Sequence, residues 1–373
     1  HILEHTVLCG SQRFPVRDPF FSMLKRSLST FMNAFTASDW TMYPFSTQNT
    51  KDYFNLLDVY LDAAFFPKLE ELSFQQEGHR LEIEGDLNAD DPDRFRLVYK
   101  GVVYNEMKGA MSSPDQVMIR SIQKELYPST TYHYNSGGDP AEIPSLTYKQ
   151  LKEFHRHHGH PSNAFFYTYG NVPLAESLAV IEDTVLNKFK RITTATDVKS
   201  QRRWRKPRVT SFPYPLNANE DPAQKHQTCV AWLVGDIKNA FQLLTLVLLE
   251  QILLGNSAAP LRKALIDSEL GSALCDGCGL DADNRDTAFV AGLKDVGKQD
   301  AEKVEAIIFE TLTDLVKNGI DKQLIESAIH QIEFHRREIT NTPYPYGIKL
   351  LLAFTGPLLH GGDPVRILKF DDD

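Results

Sequence analysis

The chain has 373 residues, 42% of them hydrophobic and 24% charged, with 40 basic and 49 acidic side chains for a formal net charge of −9. That length allows two domains with a sizeable core each, and the acidic balance argues against a nucleic-acid partner while tolerating a cationic peptide. No apolar run approaches the roughly 18 residues of a membrane span, and the four cysteines are too few for a disulfide scaffold.

The first five residues read HILEH. His1 and His5 lie four apart and share one helix face, so both imidazoles can aim at one metal ion. Glu4 projects beside them, where a carboxylate takes a proton from a metal-activated water without being a ligand. The order H-x-x-E-H inverts the commoner zinc-peptidase motif. This helix is expected to stop at Gly10. A turn with Pro15 and Pro19 follows, then a short apolar helix carrying Phe20, Phe21, Met23, Leu24 and Leu28. Residues 32–39 (MNAFTASD) and 40–46 (WTMYPFS) read as two strands joined by a tight turn, with Pro44 giving the second an irregular or edge position. Residues 52–66 have helical apolar spacing ended by Pro67. A second helix is expected over 70–84, an acidic loop over 85–93, and a long helix over 94–126 with a break near 112–114.

Residues 134–140 (YNSGGDP) form a Gly-rich turn that lacks the strand and Lys of a phosphate loop. Helices are expected at 147–158 and 174–189, with a strand at 164–170. His155, His157, His158 and His160 cluster at the end of the first of these, where cationic imidazoles suit the helix terminus better than a second metal. The basic stretch 191–208 does not belong to a basic domain and reads as a linker. It divides the chain into a metal-binding domain, 1–190, and a second domain, 209–373. In the latter, strands are expected at 209–213, 227–234, 271–276 and 287–293. Helices are expected at 239–254, 259–268, 298–318, 321–338 and 346–358. Each half mixes strands with long helices in loosely similar order, which suggests two α+β domains of one architecture. Cys275 and Cys278 form a CxxC without two further zinc ligands near by, and read as ordinary thiols. Cys9 reads as a buried thiol near the proposed metal.

A catalytic zinc keeps three protein ligands and one open position, so a third ligand is needed. Glu82 and Glu106 both fall in stretches read as helical, 77 and 101 residues after His5, and spacing does not choose between them. Val102, Val103 and Glu106 lie three to four apart, so Glu106 could emerge from a buried face, whereas Glu82 sits among Arg80 and Glu84. That favours Glu106 and leaves Glu82 as the alternative.

Several longer segments carry a resemblance: HILEHTVLCGS, DPFFSML, SLSTFMNAFTASDWTMYPFSTQN, VVYNEMKGAMSSP, SGGDP and HPSNAFFYTYGN, in this order along the chain. Together they resemble the presequence-degrading branch of the inverted-motif zinc peptidases that include pitrilysin and insulysin. The resemblance implies two homologous α+β metallopeptidase domains, each a mixed sheet with long helices. Together these would be the amino-terminal half of a clamshell enzyme whose carboxy-terminal half is missing here. It implies one Zn2+ per chain held by His1, His5 and Glu106, with Glu4 as general base. It implies a substrate peptide added as a strand along Asn33, Ala34, Phe35 and Thr36, and an apolar pocket from Leu8, Phe20, Phe21 and Leu24. Unstructured peptides such as cleaved targeting presequences would be the substrates, and a mitochondrial or plastid matrix the location. The rival expectations are a processing peptidase making one defined cut, and a half that is inert without its missing partner half.

Overall fold

The computed structural model describes residues 1–17, 19–85 and 95–372, so all but the first residue of the loop expected over 85–93 lies outside the described residues. Its backbone contacts form two compact units: His1–Met111 with Tyr134–Thr196 and Asn341–Lys349, and Ser112–His133 with Asp197–Thr340 and Leu350–Asp373.

The first unit opens with α1 (Ile2–Val7). Six residues are too few for a stable isolated helix. It is held by burying Ile2, Thr6 and Val7 against Ala63, Leu69, Phe74, Val103, Met107, Ile143 and Leu151. Each such apolar side chain contributes about 1.5–3 kcal/mol when removed from water. Next come α2 (Pro19–Arg26), β1 (Ser29–Met32), β2 (Phe35–Thr36), β3 (Thr41–Met42) and β4 (Phe45–Thr47). The expected hairpin is present as a ladder in two pieces. Met32 faces Phe45 and Phe35 faces Met42, with the Asn33 N–H donating to the Pro44 carbonyl (3.1 Å) between them. Helix α3 (Thr50–Phe65) is capped by Asn49, whose side chain accepts from the Asp52 N–H.

Two expectations fail in the next stretch. The helix expected over 70–84 ends early as α4 (Glu71–Glu77), and β5 (Arg80–Gly85) follows. The long helix expected from 94 begins as β6 (Phe95–Lys100), which pairs with β5, before α5 (Val102–Ala110). Leu81 and Ile83 alternate with charged residues, and Phe95, Leu97 and Tyr99 recur at every second position. This is a period of two, which the surrounding helical spacing masked. Gly78 ends α4, and a Cβ on Gly101 would stand 2.0 Å from the Gly78 carbonyl oxygen. A side chain at 101 would collide with that carbonyl, so Gly101 lets the hairpin base close tightly, with α5 beside α4. The break near 112–114 is real, since α6 (Pro114–Leu126) starts afresh with proline in its first turn. Helices α7 (Tyr148–His158), with a Thr147/Gln150 capping box, and α8 (Leu174–Thr184) complete the first unit's helices. Residues 164–170, expected as a strand, pair in no ladder among the described residues.

The second unit is built on β7 (His226–Asp236), β8 (Ala273–Leu274), β9 (Gly279–Asp281) and β10 (Asp286–Val296). β10 is the spine of this sheet and pairs with the other three strands. Every strand pair among the described residues is antiparallel, so the expected mixed sheet is not what forms. The helices are α6, α9 (Ala240–Leu254), α10 (Pro260–Asp267), α11 (Ala301–Asn318), α12 (Lys322–Arg337) and most of α13 (Tyr346–Leu359). Leu253, Leu261, Leu265, Leu293, Val304 and Ile308 form the core between sheet and helices. Residues 209–213, expected as a strand, are unpaired among the described residues. The basic stretch before them is anchored. Buried Asp286 accepts from Ser200 Oγ (2.6 Å), the Gln201 N–H (2.6 Å) and Arg203 Nη1 (2.9 Å).

Candidate metal centre

Helix α1 places His1 and His5 one turn apart, their rings edge to face at 4.9 Å. Each ring is fixed from behind. His1 Nδ1 donates to the Gly137 carbonyl (3.0 Å), and His5 Nδ1 donates to Glu77 Oε2 (3.1 Å). With Nδ1 protonated, each neutral ring turns a bare Nε2 lone pair forward. Glu106 meets these nitrogens, its Oε2 standing 3.4 Å from His1 Nε2 and 3.8 Å from His5 Nε2. One ligand atom from each of His1, His5 and Glu106 lies within 4.8 Å of the others, the arrangement of three donors around a shared cation.

The route by which Glu106 arrives is not the expected one. Val103 and Met107 face the core, Val102 is exposed, and the Glu106 side chain is 52% exposed. It reaches the histidines from the solvent side of α5. Glu82 is on β5, paired with Arg80 (2.5 Å) and Lys100 (3.7 Å), and is not part of the cluster. Glu4 is half-buried and within electrostatic reach of His5 and Tyr43. Burial and the Glu4 charge push the Tyr43 phenol up. Burial alone would lower the His5 pKa, but the Glu77 hydrogen bond and the charges of Glu106, Glu77 and Glu4 raise it overall. The same hydrogen bond holds the Glu77 carboxyl below its usual range. Cys9 donates its thiol to the His5 carbonyl (3.4 Å).

Glu77 and Gly137 were not singled out from the sequence. Glu77 is 8% exposed and ends α4, whose Phe74 packs in the same core as Ile2 and Val7 of α1. The Gly-rich turn at 134–140 presents a carbonyl acceptor to His1, which is the opposite of a phosphate cradle. The histidines near the end of α7 do not converge. His155 bonds the Ala64 carbonyl, His157 the Glu153 carbonyl, His158 packs on Phe154, and His160 accepts from the Ser162 N–H.

The other expected residues are distributed along α1, α2 and the hairpin edge. Leu8 is half-buried beside the α1 core, Phe20 packs against Tyr60, and Phe21 and Leu24 are 59% and 49% exposed. The Asn33 and Ala37 N–H groups point into the hairpin, to Pro44 and Trp40. By the alternation of an antiparallel ladder, Ala34 and Thr36 turn their backbone groups outward. The Ala34 N–H takes Asn33 Oδ1 (2.9 Å), and among the described residues no strand pairs with the outer side of β2. Phe31 and Phe35 stack at 6.1 Å, and Tyr344 sits edge-on to both.

The described strands and helices make an α+β chain. Three solved structures share the fold. A protease from Helicobacter pylori has TM-score 0.65 and 17% identity, covering all of this chain and 85% of that one. Pitrilysin has TM-score 0.62 and 21% identity, covering 98% and 37%. A peptidase M16 inactive domain from Pseudomonas fluorescens has TM-score 0.69 and 13% identity, covering 99% and 80%. The family model for the peptidase M16 inactive domain matches residues 145–332, so one such domain is recognised. Among curated relatives, the mitochondrial presequence protease of Danio rerio is 46% identical over 373 residues, the whole of this chain and 36% of the relative. Presequence protease 1 of Arabidopsis thaliana, chloroplastic/mitochondrial, is 41% identical over 377 residues, all of this chain and 34% of the relative. Protein HypA of Clostridium perfringens is 40% identical over 373 residues, all of this chain and 37% of the relative. The chain belongs to the M16 pitrilysin family, and its relatives include the presequence proteases. It spans about a third of the length of these relatives. Among the described residues no helix is long and apolar enough to cross a membrane.

Proposed function

We propose that this chain holds the zinc centre of a metalloendopeptidase that degrades unstructured peptides, cleaved organellar presequences among them. The observation that carries this is the convergence of His1, His5 and Glu106 with both Nδ1 atoms already engaged. Two imidazole nitrogens and a carboxylate oxygen fit zinc by donor type and leave a coordination position open. A zinc ion there supplies a Lewis acid for peptide hydrolysis. Glu4 takes the proton of the attacking water and returns it to the leaving amine. Thr36 and Ala34 offer backbone groups to an added peptide strand, which gives affinity with little sequence demand. Leu8, Phe20 and the exposed Phe21 and Leu24 are assigned to an apolar side chain beside the cut. The two units are read as homologous M16 domains, the first metal-binding and the second not. Zinc binding is assigned to this chain, and cleavage to the chain together with the remaining length its relatives carry. The names of the relatives support a mitochondrial or plastid setting.

Metal content tests the assignment. The chain is expected to hold about one zinc, lost in Glu106→Ala and kept in Glu82→Ala. A parent chain that takes up no zinc from a stoichiometric supply would remove the basis of the proposal.

The ring supports give a second prediction. Glu77→Ala is expected to weaken zinc binding about 10–100-fold, because His5 loses the acceptor that sets its tautomer and orientation. Glu77→Gln, which keeps an acceptor oxygen, recovers part of this. Competition with a chromophoric chelator reads the affinity, and an unchanged value in Glu77→Ala would show that His5 is positioned without it.

A further inference from the structure

Strands β8 and β9 are joined by Cys275-Asp276-Gly277-Cys278. The Cys278 N–H donates to the Cys275 carbonyl (3.2 Å), and Gly277 has φ +79°, the sign that the third residue of a type II turn requires. Such a turn keeps its first and fourth Cα atoms within about 7 Å, the reach of a disulfide. The turn is pinned on both sides. The Cys275 N–H donates to the Gly292 carbonyl (3.0 Å). The Asp276 carboxylate accepts from Lys294 Nζ (3.1 Å) and Gln227 Nε2 (2.8 Å). A third thiol approaches from across the sheet. Cys229 on β7 is in register with Gly292 on β10, and Cys275 lies on the other side of that glycine. Gly292 puts no side chain between Cys229 and Cys275, and Cys275 and Cys278 are the first and fourth residues of one turn. All three are free thiols, Cys275 buried and the other two half-buried.

We propose that Cys275 and Cys278 form a reversible dithiol–disulfide couple that exchanges with small-molecule disulfides of the glutathione class. Cys278 is the attacking thiol and Cys275 the resolving one. This site is independent of the zinc centre. Cys278 is the more accessible of the two, and the thiol of Cys275 donating to its sulfur holds it below the usual thiol range. The Cys278 thiolate attacks one sulfur of the small disulfide. That S–S bond breaks, one thiolate leaves and a mixed disulfide forms. Cys275 loses its proton to solvent and attacks the Cys278 sulfur. The mixed bond breaks and the second thiolate leaves. Two electrons and two protons pass from the pair to the small disulfide, which becomes two thiols. Cys229 is excluded as the bridging partner by distance. Two strand spacings put its Cα about 9.5 Å from that of Cys275, beyond disulfide reach without deforming the sheet.

The test equilibrates the whole chain in glutathione buffers from reducing to oxidising, quenches by alkylation and maps the peptides. A Cys275–Cys278 crosslink is expected to grow with oxidised glutathione and to reverse on reduction. It should persist in Cys229→Ser, and Cys275→Ser should instead trap a glutathione adduct on Cys278. Both cysteines alkylated at the oxidising end, or a crosslink that includes Cys229, overturns the proposal. The unsubstituted chain alone decides the point, so a variant that fails to fold does not blunt the test.

Discussion

Glu4→Gln is expected to bind zinc like the parent chain and to lose about 10²–10⁴ of kcat/KM, measured on the chain joined to the remaining length of its relatives. That range is about 3–5 kcal/mol of transition-state stabilisation, typical of a positioned acid–base group. Glutamine matches the shape of glutamate and keeps one acceptor oxygen, but it is no base. Glu4 contributes no atom to the His1, His5 and Glu106 cluster, so its amide should leave metal affinity nearly intact. His5 feels the Glu4 charge only after burial and the stronger effects of Glu77 and Glu106. Peptide cleavage that persists in a zinc-replete Glu4→Gln protein would remove Glu4 from the chemistry. Loss of zinc along with activity would recast it as a structural support of the metal.

Asp286→Ala is the substitution expected to cost the second unit most. The carboxylate is 1% exposed and accepts from Ser200, Gln201 and Arg203, while the Asp286 carbonyl accepts from Tyr127 Oη (2.5 Å). Hydrogen bonds to a charged group are worth about 1.5–3 kcal/mol each, and removing the acceptor strands buried donors. The Arg203 side chain is 45% exposed and recovers water, so the ion pair itself is discounted. A net loss of about 2–4 kcal/mol is expected, read as a lower urea midpoint at unchanged m-value. A shift below about 0.5 kcal/mol would mean that residues 200–203 find other partners.

How much of this was legible in the sequence depended on whether the signal was local. The spacing of His1, Glu4 and His5 is a property of one helix turn, and the structure builds that turn. The helices expected at 52–66, 239–254 and 321–338 form within two residues of those bounds as α3, α9 and α12, for the same reason. The third acidic partner was harder, because Glu82 and Glu106 are separated from His5 by chain whose folding the sequence did not reveal. Residues 80–85 and 95–100 alternate with a period of two, but they adjoin helical stretches and were absorbed into them. Glu77 and Gly137 could not be found at all. Their importance lies in where two backbone segments end up: Glu77 belongs to no motif, and the Gly-rich turn that holds Gly137 does not signal a carbonyl aimed at His1.

The contact of Gly78 with Gly101 carries a consequence for how such chains diverge. The paired strands β5 and β6 start and end at that contact, and the residues that matter to the metal stand outside it, Glu77 before and Glu106 after. Material added to or removed from the β5–β6 arm lengthens or shortens a projection without displacing either carboxylate. The count of residues between the second histidine and the acidic ligand is therefore free to drift. A search that demanded a fixed interval would reject members whose chemistry is unchanged, whereas the close approach of residue 101 to the Gly78 carbonyl leaves no room for a side chain there.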